Sequence, residues 1–506
     1  MPRKFFFFLS FIEGAAVMIA ELIGAKMLSP QFGSSLYVWA TVMAITLGGL
    51  ACGYFVGGVI SSKKRSPLVL YTILLIGSAF IILMPFLSKS IIYIFGNYSL
   101  IPSIIFCTFV FLFPPVFMMG MVSPVIVSLC TRNVEEAGRV SGSVYAISTA
   151  GGIIATFLTG FFIIPTFGLT LPCIITGISL GIIPLFLLIK KFKTGVAIWT
   201  LVVAWGLYKF FSPELQPGIP VPYNEEGMMG QVMVVDYPIA DSAGNFKGFN
   251  RTLYVNRMTQ AQLNETDSAA RYFGYVDLLA SSLSGETGKK VLICGMGGGG
   301  LANRLHDAGF SVDVCEIDPR ISFVAKEYFK LNPGINVILD DARHFIKNSK
   351  TLYDIIVLDV FKGEEIPSHC FTKEAFDEMT THLESSGMLI INSNGYIDDE
   401  KGLGNRSIAM TLSAAGYDWK ILPTESNSED WRNLEFFAVP PGSSRPQRKV
   451  RMEDVYIEKL PDGIVLTDDR PILDIINIPA YKAWRKLSID YFTAEMARGR
   501  YFPLFK

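Results

Sequence analysis

VLICGMGGGGLANRL, Val291–Leu305, is the stretch on which the fold turns. Val291 to Cys294 is an apolar run of strand length. Gly295 and Gly297 to Gly300 follow at once, and then a helical pattern begins. Glycine removes the Cβ that would hold a ligand off the backbone, and a helix starting there offers unpaired N–H groups. A strand, a glycine turn and a helix in that order predict a nucleotide-type ligand at the carboxyl end of a parallel strand.

Working outward, apolar strands and helices alternate. Strands are expected at 290–295, 311–316, 335–339, 353–359, 386–392, 417–422 and 433–438, and helices at 298–309, 320–330, 372–383 and 402–415. This alternation predicts a doubly wound parallel sheet. Upstream, QVMVVDY and RTLYVN read as a small antiparallel pair, followed by a helix from about Asp267 to Leu283.

The successive strand ends carry the chemistry. Gly295, Gly297 and Gly299 lie at the first. VDVCEID ends the second in Glu316, a carboxylate able to accept both hydroxyls of a ribose. NVILDDA ends the third in Asp340, Asp341 and Ala342, where an acid can accept from an adenine amine. YDIIVLDVF ends the fourth in Asp359, facing the reacting end of the ligand. Each piece alone is weak, since a lone Asp after a strand is often a helix cap. A dinucleotide accounts for the first two pieces but not for Asp341 and Asp359, whereas an adenosyl-sulfonium ligand accounts for all four. An NAD-dependent oxidoreductase would also need a His or a Tyr–Lys pair at a strand end, and none stands out.

The N-terminal part is of a different kind. Apolar runs long enough to span a bilayer recur at about 5–27, 36–60, 68–87, 101–129, 141–163 and 170–189, with a shorter seventh at 195–211. The first run has no small-residue cleavage site and reads as an anchor. Residues 1–211 hold 13 Lys+Arg against 4 Glu, and the remainder holds 31 Lys+Arg against 41 Asp+Glu. Near-neutrality overall (net −1) therefore hides a basic membrane half and an acidic soluble half. An acidic domain disfavours a nucleic-acid partner and favours an amine.

Arg3 and Lys4, Lys63 to Arg65, Arg132 with Arg139, and Lys190, Lys191 and Lys193 mark alternate loops, which fits six spans with both ends in the cytoplasm of a cell (inner) membrane. A spanning seventh run would move the soluble half outside. Glu13 and Lys26 are expected near the interface and Glu21 against a buried partner. Of the seven cysteines none forms a CxxC pair, and the four histidines show no ligand spacing, so no metal is expected. The domain expectation is a membrane part at 1–211, a Pro-rich linker at 212–222, a small β-domain with its lead-in helix at 223–285, and an α/β Rossmann-like domain at 286–506.

GMGGGGLANRL, CEIDPRISFVAKEYF, DDARHFI and YDIIVLDVFKGEEIPSHCFTKEAF together resemble the spermidine synthase (polyamine aminopropyltransferase) family. With LTDDRP at Leu466–Pro471, they resemble its membrane-fused branch, whose N-terminal half is similar to half of a major-facilitator transporter. The resemblance implies a class I methyltransferase-type fold with a small N-terminal β-domain. It implies decarboxylated S-adenosylmethionine as donor, methylthioadenosine as by-product, and a homodimer. Carried over residue by residue, Gly295, Gly297 and Gly299 would line the donor, Glu316 would bind ribose, and Asp341 and Ala342 would flank adenine. Gln231 and Gln260 resemble glutamines that contact donor and acceptor. Asp359 would orient or deprotonate the acceptor amine.

The departures matter too. The family's acid in the glycine loop is Gly298 here, its second acid after the fourth strand is Lys362, its DGxxQ segment begins with Asn256, and its Tyr-His pair is missing from Arg271, Tyr272 and Phe273. Free putrescine, with two ammonium groups, is therefore expected to bind poorly, and the acceptor is expected to be another amine, membrane-delivered or larger. Asp468 and Asp469 would supply replacement charge if LTDDRP folds over the site; otherwise that loop is a solvated turn. Two other readings stay open. In a methyltransferase using S-adenosylmethionine itself, Gly298 makes room for the donor carboxylate, and Lys362 or Arg304 pairs with it. In a transporter or sensor, the soluble domain only binds the adenosyl ligand.

Overall fold

The structure, a computed structural model of the chain, describes residues 2–32, 36–95, 100–211, 219–227, 229–256, 258–266, 272–284, 286, 288–361, 366–424, 431–443 and 457–497. The chain divides into two compact units, Met1–Gln216 with Glu225–Gln231, and Pro217–Asn224 with Val232–Lys506.

Residues 3–211 are helical. Among the described residues, seven helices are long and apolar enough to cross a membrane: Arg3–Ser29, Tyr37–Lys63, Pro67–Ile92, Ile101–Cys130, Val134–Phe167, Thr170–Leu188 and Lys193–Phe211. Their shared core is built from residues such as Ile23, Leu74, Ile81, Phe111 and Val144. The two glutamates of the first helix differ in burial. Glu13 is buried and accepts from the hydroxyls of Ser148 (3.1 Å) and Ser123 (3.4 Å). Glu21 is only partly buried.

Residues from 223 onward build two sheets. A four-stranded antiparallel sheet runs β1 (Tyr223–Gly227), β2 (Gly230–Ala240), β3 (Phe246–Val255) and β4 (Met258–Asn264) in chain order. The expected pair is β2 and β3; β1 and β4 flank it. The larger sheet has β5 (Lys290–Cys294), β6 (Ser311–Glu316), β7 (Asn336–Leu339), β8 (Tyr353–Leu358), β9 (Leu383–Gly395), β10 (Asp418–Pro423) and β11 (Arg432–Val439). Its order is β10-β11-β9-β8-β5-β6-β7. Six strands run parallel, as the alternation predicts. β11 alone is reversed, pairing antiparallel with both β9 and β10. The reason is chain length: only residues 424–431 join β10 to β11, too few for a parallel crossover of a dozen or more.

The sheet has an apolar core on each face. Val291, Ile293, Val357, Ile390 and Phe437 face one core, together with Val276 and Leu279 of the helix Gly274–Ser282. Leu292, Ile356, Leu389, Leu434 and Phe436 face the other, with Phe376 of the helix Lys373–Thr380. Strands buried on both faces read as continuous apolar runs, which is why they stand out in the sequence. The helix expected at 267–283 forms as Gly274–Ser282, residues 267–271 lying outside the described ones. A further helix, Ala342–Asn348, is too short to show a period in the sequence.

Candidate active site

The strand order reverses around β5, which has β6 on one side and β8 on the other. A crevice at such a reversal, at the carboxyl ends of the strands, is where open α/β sheets bind ligands. Here the crevice is a cleft open to solvent and walled by the glycine loop, β4 and the helix Gly274–Ser282. Gly295 turns the chain at φ +90°, and a Cβ there would sit 2.1 Å from the Asp359 carbonyl oxygen. Its N–H donates to the Cys315 carbonyl (2.8 Å), and the Asp359 N–H donates to that of Cys294 (2.8 Å). The glycine turn and Asp359 are thus locked side by side. Gly297 lines the cleft, and Gly299 caps the helix Gly300–Asp307.

Glu316 is buried and braces this loop. One carboxylate oxygen accepts from the Met296 N–H (3.0 Å), the other from the Asp318 N–H (2.8 Å). Burial raises its pKa to about 7 despite these bonds. Asp341 caps the helix Ala342–Asn348, accepting from the N–H groups of Arg343 and His344 (3.0 Å each). Its second oxygen meets His369 Nε2 at 2.9 Å. That bond holds its pKa below the usual carboxylate range and raises His369 to about 10. Ala342 is buried beside it.

Asp359 has two partners that sequence reading missed. The Tyr275 hydroxyl donates to one oxygen (3.1 Å) and Asn392 Nδ2 to the other (2.7 Å), while Asn433 Nδ2 donates to Asn392 Oδ1 (2.9 Å). Burial lifts the Asp359 pKa to about 6, with Asn392 and Tyr275 pulling the other way. Each carboxylate oxygen keeps a second lone pair for a ligand. A tyrosine from the lead-in helix therefore does reach the acid, two residues after Phe273. The lead-in helix is described as Gly274–Ser282. Asn392 left no local signal: it is one residue within a long strand.

Other residues fall in less central places. Gln260, on β4, lines the cleft, and Gln231 is the second residue of β2. Lys362 and the neighbouring Glu364 and Glu365 lie outside the described residues. Asp468 is fully engaged: Arg343 grips it with both terminal nitrogens (2.6 and 2.8 Å) and the Thr372 hydroxyl donates to it (2.7 Å). The Leu466 carbonyl accepts from the Lys373 N–H (2.8 Å), so LTDDRP is stapled to the helix Lys373–Thr380, on the sheet face away from Asp359. Asp468 is not the expected replacement charge, because Arg343 already claims it, and Asp469 is exposed in the same turn.

The room expected at Gly298 is also filled. A Cβ there would lie 2.7 Å from Phe329 Cδ1 and 2.9 Å from the Ala261 Cβ. Arg304 is paired with Asp277 (2.7 Å) and lies over the Tyr272 ring. Among the described residues, the cleft wall holds one charged side chain, Asp359, and no Lys, Arg or His.

Residues 275–405 match the spermine/spermidine synthase domain. This chain carries a spermidine synthase domain in its C-terminal half. A polyamine aminopropyltransferase of Vibrio vulnificus is 34% identical over 182 residues, which cover 34% of this chain and 59% of that protein. A probable polyamine aminopropyl transferase of Bifidobacterium longum is 28% identical over 264 residues, 46% of this chain and 56% of its own length. The chain thus spans under two thirds of either relative. Among solved structures, a probable spermidine synthase from Corynebacterium glutamicum has a TM-score of 0.36 at 17% identity, covering 44% of this chain and 80% of that one. The match of 275–405 includes the glycine loop, Glu316, Asp341, Asp359, Tyr275 and Asn392 of the spermidine synthase domain.

Proposed function

We propose that this chain is a membrane-anchored aminopropyltransferase. It moves the aminopropyl group of decarboxylated S-adenosylmethionine to an amine acceptor and releases methylthioadenosine. The acceptor nitrogen attacks the aminopropyl carbon bonded to sulfur, the C–S bond breaks, and its electron pair returns to sulfur as a thioether. The nitrogen must shed a proton, and Asp359 takes it. Tyr275 and Asn392 hold the Asp359 carboxylate in one orientation. Most of the rate gain is alignment of the two reactants, with the base adding to it.

One observation carries the reading: the described cleft wall presents a single charged side chain, the carboxylate of Asp359. A sulfonium donor and an ammonium acceptor are both cations and suit that wall. S-adenosylmethionine brings a carboxylate as well, and among the described residues the cleft wall offers it no cation, with Arg304 taken by Asp277. Aminopropyl transfer is therefore favoured over methyl transfer.

For the anchor, the basic loops put both ends of the first six spans on the cytoplasmic side of a cell membrane, where the donor is made. Lys193–Phe211 has a mean hydropathy of 1.4, the lowest of the seven, and in this reading it lies along the interface with the soluble domain inside. The test is calorimetric titration of the detergent-solubilised chain with decarboxylated S-adenosylmethionine, S-adenosylmethionine and methylthioadenosine. Preference for the decarboxylated donor supports the proposal. Preference for S-adenosylmethionine makes the chain a methyltransferase. Binding of none of the three leaves a transporter or sensor with an inactive domain.

A further inference from the structure

Asp359 is held by an amide, and an amide has a polarity. Turned end for end it keeps its outline and exchanges a donor for an acceptor. Asn392 donates from Nδ2 to one Asp359 oxygen (2.7 Å). Reversed, it would aim Oδ1 at the carboxylate, and two acceptors would face each other. The sense in which Asn392 lies therefore decides whether Asp359 is held as a carboxylate or repelled.

Strand alternation brings three polar residues together. Met388 and Ile390 face the core that includes Phe437, so Asn392 projects on that face, with Glu435 of β11 as its cross-strand partner. Asn433, two residues before Glu435, shares the face. Its Nδ2 donates to Asn392 Oδ1 (2.9 Å). Its backbone is pinned by Thr424: the Asn433 N–H donates to the Thr424 hydroxyl oxygen (3.1 Å), and the Asn433 carbonyl accepts from the Thr424 N–H (3.0 Å). The donors thus all point one way, from Asn433 to Asn392 and from Asn392 to Asp359. A rival acceptor stands beside them. Glu435 is 0% exposed, and neither of its oxygens has a hydrogen-bond partner among the described residues. Buried polar atoms are nearly always paired, and the amide across the strand pair from Glu435 is Asn392. With Asn433 engaging its Oδ1, Asn392 keeps Nδ2 on Asp359.

We propose that Asn433 is a positioning residue for the base: by donating to Asn392 Oδ1 it fixes the sense of that amide, and with it the acceptor role of Asp359. This rests on the aminopropyltransferase reading, in which Asp359 takes the proton. Asn433 acts through Asn392 and takes no part in the C–S bond exchange. Among the described residues, Tyr275 from the lead-in helix and Glu435 from β11 are the titratable groups facing Asp359, and the substitutions below leave both in place. Asn433→Asp turns the donor into an acceptor of the same shape. Asn392 then turns its Nδ2 toward position 433 and its Oδ1 toward Asp359, which can meet that oxygen only as the protonated acid.

The test uses the full chain in detergent and reads the protonation of Asp359 without any acceptor. Wild type, N433D and N433L are melted across pH 4 to pH 9, each beside the same protein carrying Asp359→Asn. In the wild type the gap within the pair should open as pH rises and level off near pH 6, where Asp359 titrates. In N433D it should level off at least roughly one pH unit higher, with N433L shifted less in the same direction. Adding Asn392→Leu should remove most of the N433D shift, since the effect travels through that amide. A levelling point unchanged in both Asn433 variants overturns the proposal. So does an N433D shift that survives Asn392→Leu, which is then the through-space effect of the new charge. Methylthioadenosine titration is the control: N433D should bind it as the wild type does. Joint loss of that binding and of the melt in both Asn433 variants also overturns the proposal, since Asn433 then serves the fold. Failure of methylthioadenosine to bind the wild type removes the aminopropyltransferase reading itself, and this inference with it.

Discussion

Asp359→Asn should make the spermidine synthase domain more stable and leave it nearly inactive. The wild-type carboxylate has its pKa raised from 3.8 to about 6, and burial is the largest cause. An acid raised in the folded state costs stability once pH exceeds its unfolded pKa, and the cost saturates above the folded one. A shift of this size corresponds to an upper bound of about 3 kcal/mol, and the partial exposure of the residue reduces that to about 1–2 kcal/mol. Asparagine is neutral and nearly the same shape. Its oxygen can accept from Asn392, and its amide can donate to the Tyr275 hydroxyl. The variant should therefore melt about 2–8 °C higher at pH 8. The gap should shrink as pH falls through 6 and vanish below about 4. Aminopropyl transfer should fall by about 10²–10⁴-fold with the base gone. The assay is a thermal melt series of both proteins in detergent from pH 4 to pH 8, beside turnover of decarboxylated S-adenosylmethionine. A stability gap that does not change with pH, or a variant that melts lower at pH 8, refutes the desolvation argument. Retained turnover refutes the role of Asp359 as base.

Further outcomes follow from the same geometry. Gly298→Asp restores the family's usual acid but drives it into Phe329 and Ala261, so it should destabilise by about 1–3 kcal/mol without tightening donor binding; a higher-affinity variant with an unchanged melt would contradict the packing. His369 is raised from 6.5 to about 10 and Asp341 is lowered from 3.8, so their pair stabilises fully between those ordinary values. The melting difference between wild type and His369→Ala should be largest near pH 5 and fade as pH rises through about 10, measurable by melts across that range. Arg343→Met leaves Asp468 and Glu378 without their shared cation and should lower the melt while methylthioadenosine binding stays, as calorimetry would report. A cysteine placed at exposed Asp469 should react with a membrane-impermeant maleimide only in inverted vesicles; labelling of intact cells would move the domain to the other side.

What the sequence determined by itself is local. β5, the glycine turn and the strand-end acids Glu316, Asp341 and Asp359 are visible because turn chemistry and apolar runs operate over a few residues. The basic loops between apolar runs are visible for the same reason. What the tertiary structure decided lies between segments far apart in the chain. Asn392 meets Asp359 across 33 residues, Tyr275 across 84, and Arg343 meets Asp468 across 125. No spacing rule connects such pairs, because the order of strands in the sheet, not their order in the chain, makes them neighbours. The reversed β11 is the clearest case. A short β10–β11 connection forces the hairpin, the hairpin inserts β11 beside β9, and only that placement brings Glu435 onto the face of Asp359. Gly298 makes the complementary point. In the sequence it reads as vacant space beside the ligand, and only the folded chain shows Phe329 and Ala261 occupying it, because packing density is a property of all the segments that converge there.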